Sequence, residues 1–219
     1  SKKLAVLYVN KDFGKGGQAA IKQLLANSPT QIVAEISTES GQVDFSAAVI
    51  QAKQSGADAL FAYTNEEESA RLLRELRKQA WNKPVIGETV LTSAKVVELA
   101  GEAANGAVAH VGLTVEAPQL QAWGKKFQAA YNTSSDHNGV KGYTGVYVLK
   151  AAIEKAGKVD RKAAAAAIRN SCFTAKQYPG VLMDVCFDDK GDIDRESFIT
   201  EIRNGKTVVA ETLPPMSKK

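Results

Sequence analysis

The chain has little of what covalent chemistry usually needs. Its 219 residues include two cysteines, two histidines, two methionines and two tryptophans. His110 lies in an apolar run and His137 in a polar one, so the pair makes no metal set. C-x-x-C, H-E-x-x-H and a nucleophile elbow are all missing, and these absences argue against an enzyme. Ser135, Asp136 and His137 are adjacent, but triad members converge from distant segments, so adjacency carries no weight. No apolar run approaches the roughly 18 residues that span a membrane. A leader is not visible either. A strand-like segment opens at Leu4, so either a leader has been removed or the chain is a fragment. Charge of one sign is also scarce. Lys plus Arg number 28 against 24 Asp plus Glu, a formal net charge of +4. Four of the lysines sit at the ends (Lys2, Lys3, Lys218, Lys219). No dense basic stripe forms, so no nucleic-acid partner is expected. Neither a cofactor nor a metal is expected.

What is present is ordered. The chain is 44% hydrophobic and 24% charged, the balance of a globular protein with a packed core. Through residue 115 an apolar run alternates with an amphipathic stretch. Strands are expected at Leu4–Val9, Gln31–Ser37, Ala57–Tyr63, Pro84–Gly87 and Ala107–Leu113. Helices are expected between them, at about Gly14–Asn27, Phe45–Gln54, Glu66–Trp81 and Ser93–Ala100. Five strands alternating with four helices imply an α/β fold, a doubly wound parallel five-stranded sheet of flavodoxin-like order. Downstream, helices are expected at Gln119–Tyr131, Tyr143–Lys155 and Arg161–Asn170, with a polar loop over Asn132–Gly142. After Cys172 the pattern turns strand-like. Asn204-Gly205 between β-rich arms signals a hairpin across Ser197–Leu213.

In such sheets ligands bind beyond the carboxyl ends of the strands. The residues of interest are therefore Asn10–Phe13, Tyr63–Glu66, Glu88–Val90 and the stretch after Leu113. Phe13-Gly-Lys-Gly-Gly17 follows a strand, but it is neither a full G-x-G-x-x-G nor a Walker loop, and a tight turn explains its glycines. Thr64, Asn65 and Glu66–Glu68 suit a helix start, where carboxylates favour the macrodipole. The functional reading is that Tyr63, Thr64 and Asn65 line a cleft at the strand ends, and both readings can hold together. Glu88 and Thr89 offer a carboxylate and a hydroxyl to a polar ligand, or else form a solvated loop. Cys172 and Cys186 flank a turn near Tyr178-Pro-Gly180. A bridge between them is expected, with two buried free thiols as the alternative.

The segment "KKLAVLYVNKDFGKGG" looks like the opening of the second lobe of type I periplasmic solute-binding proteins of the branched-chain amino-acid family. "VDFSAAVIQAKQSGADALFAYT", "GETVLTSAKVVELAGEAANGAV", "GYTGVYVLKAAIEKAG" and "FDDKGD" continue the resemblance in order. It implies a second ligand-binding lobe over residues 1–138, a remnant of the first lobe over 139–190, and a return hairpin and tail over 191–219. The early first-lobe elements have no counterpart. It further implies a periplasmic component of an ATP-driven importer that closes on a small polar solute and docks on a membrane permease. Ligand contacts would come from Phe13, Tyr63, Thr64, Asn65, Glu88 and Thr89. Thr89 stands where the family has an ammonium-binding glutamate, with Glu88 beside it. That substitution widens the expected ligands to acids and amides. The helix at 143–156, without its usual sheet, is expected to pair with a second copy or to belong within a larger assembly. Two rival readings stand beside this one: a ligand-sensing regulator of the same fold, as in amide-responsive sensors, and an enzyme holding a nucleotide at Gly14–Gly17.

Overall fold

A computed structural model describes residues 2–218. The outer limits of the expected second lobe and tail, Ser1 and Lys219, lie outside the described residues. The chain divides into two units, Ser1–Val111 with Ile199–Ala210, and Gly112–Phe198 with Glu211–Lys219.

The first unit is built on β1 (Lys3–Val9), α1 (Asp12–Leu25), β2 (Gln31–Thr38), α2 (Ser46–Gln54), β3 (Ala59–Tyr63), α3 (Glu66–Lys78), β4 (Val85–Glu88), α4 (Ala94–Ala100) and β5 (Ala107–Val111). These strands are parallel, in the order β5-β4-β3-β1-β2. This is the flavodoxin-like arrangement. β1 shows why it forms. Ala5, Leu7 and Val9 are fully buried on one face, while Leu4 and Val6 join Ala59 in a cluster on the other. A strand apolar on both faces is stable only when both are covered, which βαβ crossovers achieve. Burying a side chain such as Leu7 contributes about 1.5–3 kcal/mol.

Several helix boundaries differ from the sequence reading, and some have a clear local cause. α1 starts at Asp12, ahead of the expected Gly14, so Phe13 lies inside the helix with the glycine run that follows it. α3 stops at Lys78, because Ala80 takes a left-handed φ of 56° and turns the Trp81 N–H back onto the Leu76 carbonyl at 2.8 Å. That backbone bond closes the helix end in the manner of a Schellman motif. In the second unit the helix expected from Tyr143 begins at His137, inside the expected loop. The Asp136 carboxylate accepts from the Gly139 N–H at 2.9 Å and caps it.

The second unit contains α5 (Gln121–Tyr131), α6 (His137–Ala156), α7 (Arg161–Ile168), β6 (Ser171–Phe173), β7 (Val185–Phe187) and β8 (Ile193–Asp194). The three short strands form their own antiparallel sheet. Its core gathers Val148, Ala151 and Ala152 of α6 with Phe173, Val181 and Val185. Cys172 and Cys186 face each other across β6 and β7 and form a disulfide, with Cα atoms 4.0 Å apart. Val146 and Leu149 of α6 remain 66% and 50% exposed. The chain then returns as β9 (Ser197–Arg203) and β10 (Lys206–Leu213), which extend the parallel sheet beyond β5 to seven strands. Asn204 and Gly205 both take positive φ, 50° and 70°, as the two-residue hairpin requires.

Candidate functional site at the sheet rim

Strand order places the crossover to the other side of the sheet between β1 and β3. There the two following connections diverge and leave a crevice at the carboxyl ends. Phe13, one residue into α1, and Tyr63, the last residue of β3, stand at that point with ring centroids 4.6 Å apart. The sequence permits the approach because residue 17 is glycine. A Cβ there would lie 2.5 Å from the Tyr63 ring. Gly14 has a similar role, since a Cβ would overlap the Val9 carbonyl. Phe13 itself is 43% exposed, a large apolar side chain held open at the rim.

Glu88 ends β4, the strand next to β3. Burial, and after it the charge of Glu88, push the Tyr63 phenol above its ordinary value, so the two groups sense each other. The Glu88 carboxylate also accepts from the Val90 N–H at 2.9 Å and so caps the short 3-10 turn of Thr89–Thr92. Thr89 opens that turn, half-buried. The rim thus assembles Phe13, Tyr63 and Glu88, with Thr89 following.

Thr64 and Asn65 are engaged differently. Thr64 is buried and shares a 2.8 Å hydrogen bond with the Ser69 hydroxyl. Asn65 occupies the cap position of α3, but its side-chain amide donates to Glu68 at 3.2 Å instead of capping the backbone. Glu68 is a residue that local sequence reasoning treated only as one acid of the first turn. It is buried, and it also accepts from the Gly41 N–H at 2.7 Å, tying the loop after β2 to the start of α3. Nothing in the local sequence announces a partner 27 residues away. On the other flank, Asn10 donates to Glu39 at 3.0 Å, bracing the ends of β1 and β2. The stretch after Leu113 belongs to the second unit. Among the described residues no three His, Cys, Asp or Glu converge as a metal set, and no helix is long and apolar enough to cross a membrane.

A doubly wound sheet of this order with side chains gathered at its strand ends describes many proteins, and comparison narrows it. A family model for periplasmic binding proteins matches residues 1–207. The chain belongs to the periplasmic binding protein family. Among curated relatives, a Leu/Ile/Val-binding protein of Rhizobium johnstonii is 29% identical over 214 residues, 96% of this chain and 57% of its own length. A leucine-, isoleucine-, valine-, threonine- and alanine-binding protein of Pseudomonas aeruginosa is 24% identical over 90% of this chain and 52% of its own. The chain therefore spans somewhat over half the length of these relatives. Two solved structures share the fold. A leucine-binding protein from Thermotoga maritima superposes with a TM-score of 0.84 at 21% identity, over 99% of this chain and 61% of that one. A solute-binding protein of an ABC transporter from R. palustris, in complex with benzoate, has a TM-score of 0.83 at 20% identity, over 98% and 59%.

Proposed function

We propose that this chain supplies one lobe of the solute-binding component of an ABC importer, working in the periplasm and docking on a membrane permease. The solute is a small polar molecule, an amino acid or a related acid or amide. The observation that carries the reading is the Phe13–Tyr63 ring pair at the β1/β3 crossover, with Glu88 at the end of the neighbouring β4, in a chain of the periplasmic binding protein family. One apolar ring, one phenol and one carboxylate form a small surface able to hold an apolar body beside a cationic or hydrogen-bonding head. No covalent step is needed, because lobe closure itself captures the solute. The curated relatives are named for binding leucine, isoleucine and valine, one of them also for threonine and alanine, and one structural neighbour holds benzoate. A glycine run spent on helix–strand packing weighs against a nucleotide cradle at Gly14–Gly17. The homodimer expected through 143–156 finds no support beyond the exposed Val146 and Leu149.

The test is a titration of the chain with leucine, leucinamide and benzoate, followed by amide chemical shifts. At least one ligand is expected to shift Phe13, Tyr63 and Glu88 in a saturable way. If it carries an ammonium, Glu88→Gln should weaken it about tenfold or more, as loss of a charge-assisted bond does. Silence of all three rim positions with every ligand would overturn the reading.

A further inference from the structure

A separate cavity of about 300 Å³ lies within the second unit, against α6 and the small sheet. Its walls include Leu113, Val148, Val185 and Phe187, and its polar lining is Thr144, Lys141 and Arg195. Three features of this lining are unusual together. Thr144 is only 7% exposed, yet its hydroxyl has no hydrogen-bond partner. On a helix a threonine normally bonds back to the preceding turn, so an unengaged one at a cavity wall is an open donor. Arg195 is largely buried, and burial lowers its pKa with no acid opposing the effect. Among the described residues neither Arg195 nor Lys141 takes part in an ion pair. Two cations and a hydroxyl donor therefore border an apolar chamber whose lining contains no carboxylate. Buried guanidinium groups are ordinarily paired.

We infer that this cavity is a binding site for a small organic anion, a monocarboxylate with a compact apolar body, distinct from the rim of the parallel sheet. The carboxylate accepts from Arg195, Lys141 and the Thr144 hydroxyl, and the apolar body fills the space between Val148, Val185 and Phe187. The size is at the lower end of small-molecule sites. This inference does not depend on the rim reading, since no residue is shared.

The probe is cyclohexanecarboxylate, with its neutral carboxamide as control, added to the whole 219-residue chain and followed by methyl chemical shifts. Saturable shifts at Leu113, Val148, Val185 and Ile193 are expected, with a dissociation constant of about 1 mM or tighter, a range that a single small anion reaches. The carboxamide should bind about tenfold more weakly or worse, and Arg195→Gln should weaken the acid by a similar factor. If Arg195→Gln fails to fold, the exposed Lys141→Gln supplies the same reading. Thr144→Val should weaken the acid while raising the melting temperature, because it removes an unpaired buried hydroxyl. Glu88→Gln at the rim should leave this binding unchanged. No saturable shift by about 10 mM, equal binding of acid and carboxamide, indifference to the charge variants, or shifts confined to the rim would each overturn the inference.

Discussion

At the scale of single residues, two glycines and one tyrosine shape the candidate rim. Gly14 sits where any side chain would meet the Val9 backbone, and Gly17 where it would meet the Tyr63 ring. Gly16, between them, faces open space. The contrast yields a paired test. Gly14→Ala is expected to cost about 1–3 kcal/mol, as overpacking does. Gly16→Ala is expected to stabilise by about 0.4–1 kcal/mol through the unfolded chain. Urea denaturation measures both; equal effects would show that the close approach of α1 to β1 is not what Gly14 provides. A glycine-rich stretch after a strand invites a phosphate-binding interpretation from sequence alone. Only the contact distances show that these glycines are there to let a helix lie against its strand. In the same way Glu68 reads locally as a helix-start acid, and its bond to Gly41 becomes visible only when β2 and α3 are brought together.

At the scale of elements, the disulfide is the clearest lever. It joins directly opposed residues of β6 and β7, closing a loop with a sequence separation of 14. A loop of that length contributes about 3 kcal/mol by chain entropy. Cys172→Ser with Cys186→Ser is therefore expected to lower stability of the second unit by roughly that amount. Hydrogen exchange at Phe173 and Val185 would report it, and a free-thiol assay on the oxidised protein should titrate neither sulfur. Protection unchanged in the double variant would contradict the expectation. The β9–β10 hairpin was legible because Asn204-Gly205 is chemically suited to two successive positive φ angles. Its position on the β5 edge was not, since nothing in a hairpin's own residues says which sheet will take it. The start of α6 was hidden for a related reason. Residues 132–142 are polar, and helical periodicity cannot be read where no apolar stripe exists.

At the scale of the whole molecule, acid stability follows from a set of carboxylates held below their ordinary values. A hydrogen bond from Lys22 does this for Glu35, the Ser46 hydroxyl for Asp44, Gln79 for Glu75, and the Asp192 backbone for Asp188. For Asp136 burial works the other way, and the Gly139 N–H with its neighbours outweighs it. In each case the folded value lies below the unfolded one. The stabilisation is then complete above the unfolded carboxylate range, near pH 4, and is lost as pH falls through the folded values. The melting temperature is expected to drop below about pH 4; a profile level down to about pH 3 would contradict this linkage. By itself the sequence determined the parallel α/β sheet and the hairpin turn, because apolar runs on strands covered on both faces and Asn-Gly turns are local patterns; the family it indicated only through the resemblance of ordered segments to known binding proteins. Only the tertiary structure decided that Phe13, Tyr63 and Glu88 share one rim, that the hairpin completes a seven-stranded sheet, and that Thr144, Lys141 and Arg195 surround one cavity. Apart from Lys141 and Thr144, which share α6, those residues lie far apart in sequence, and their meeting depends on crossovers and packing that no local pattern encodes.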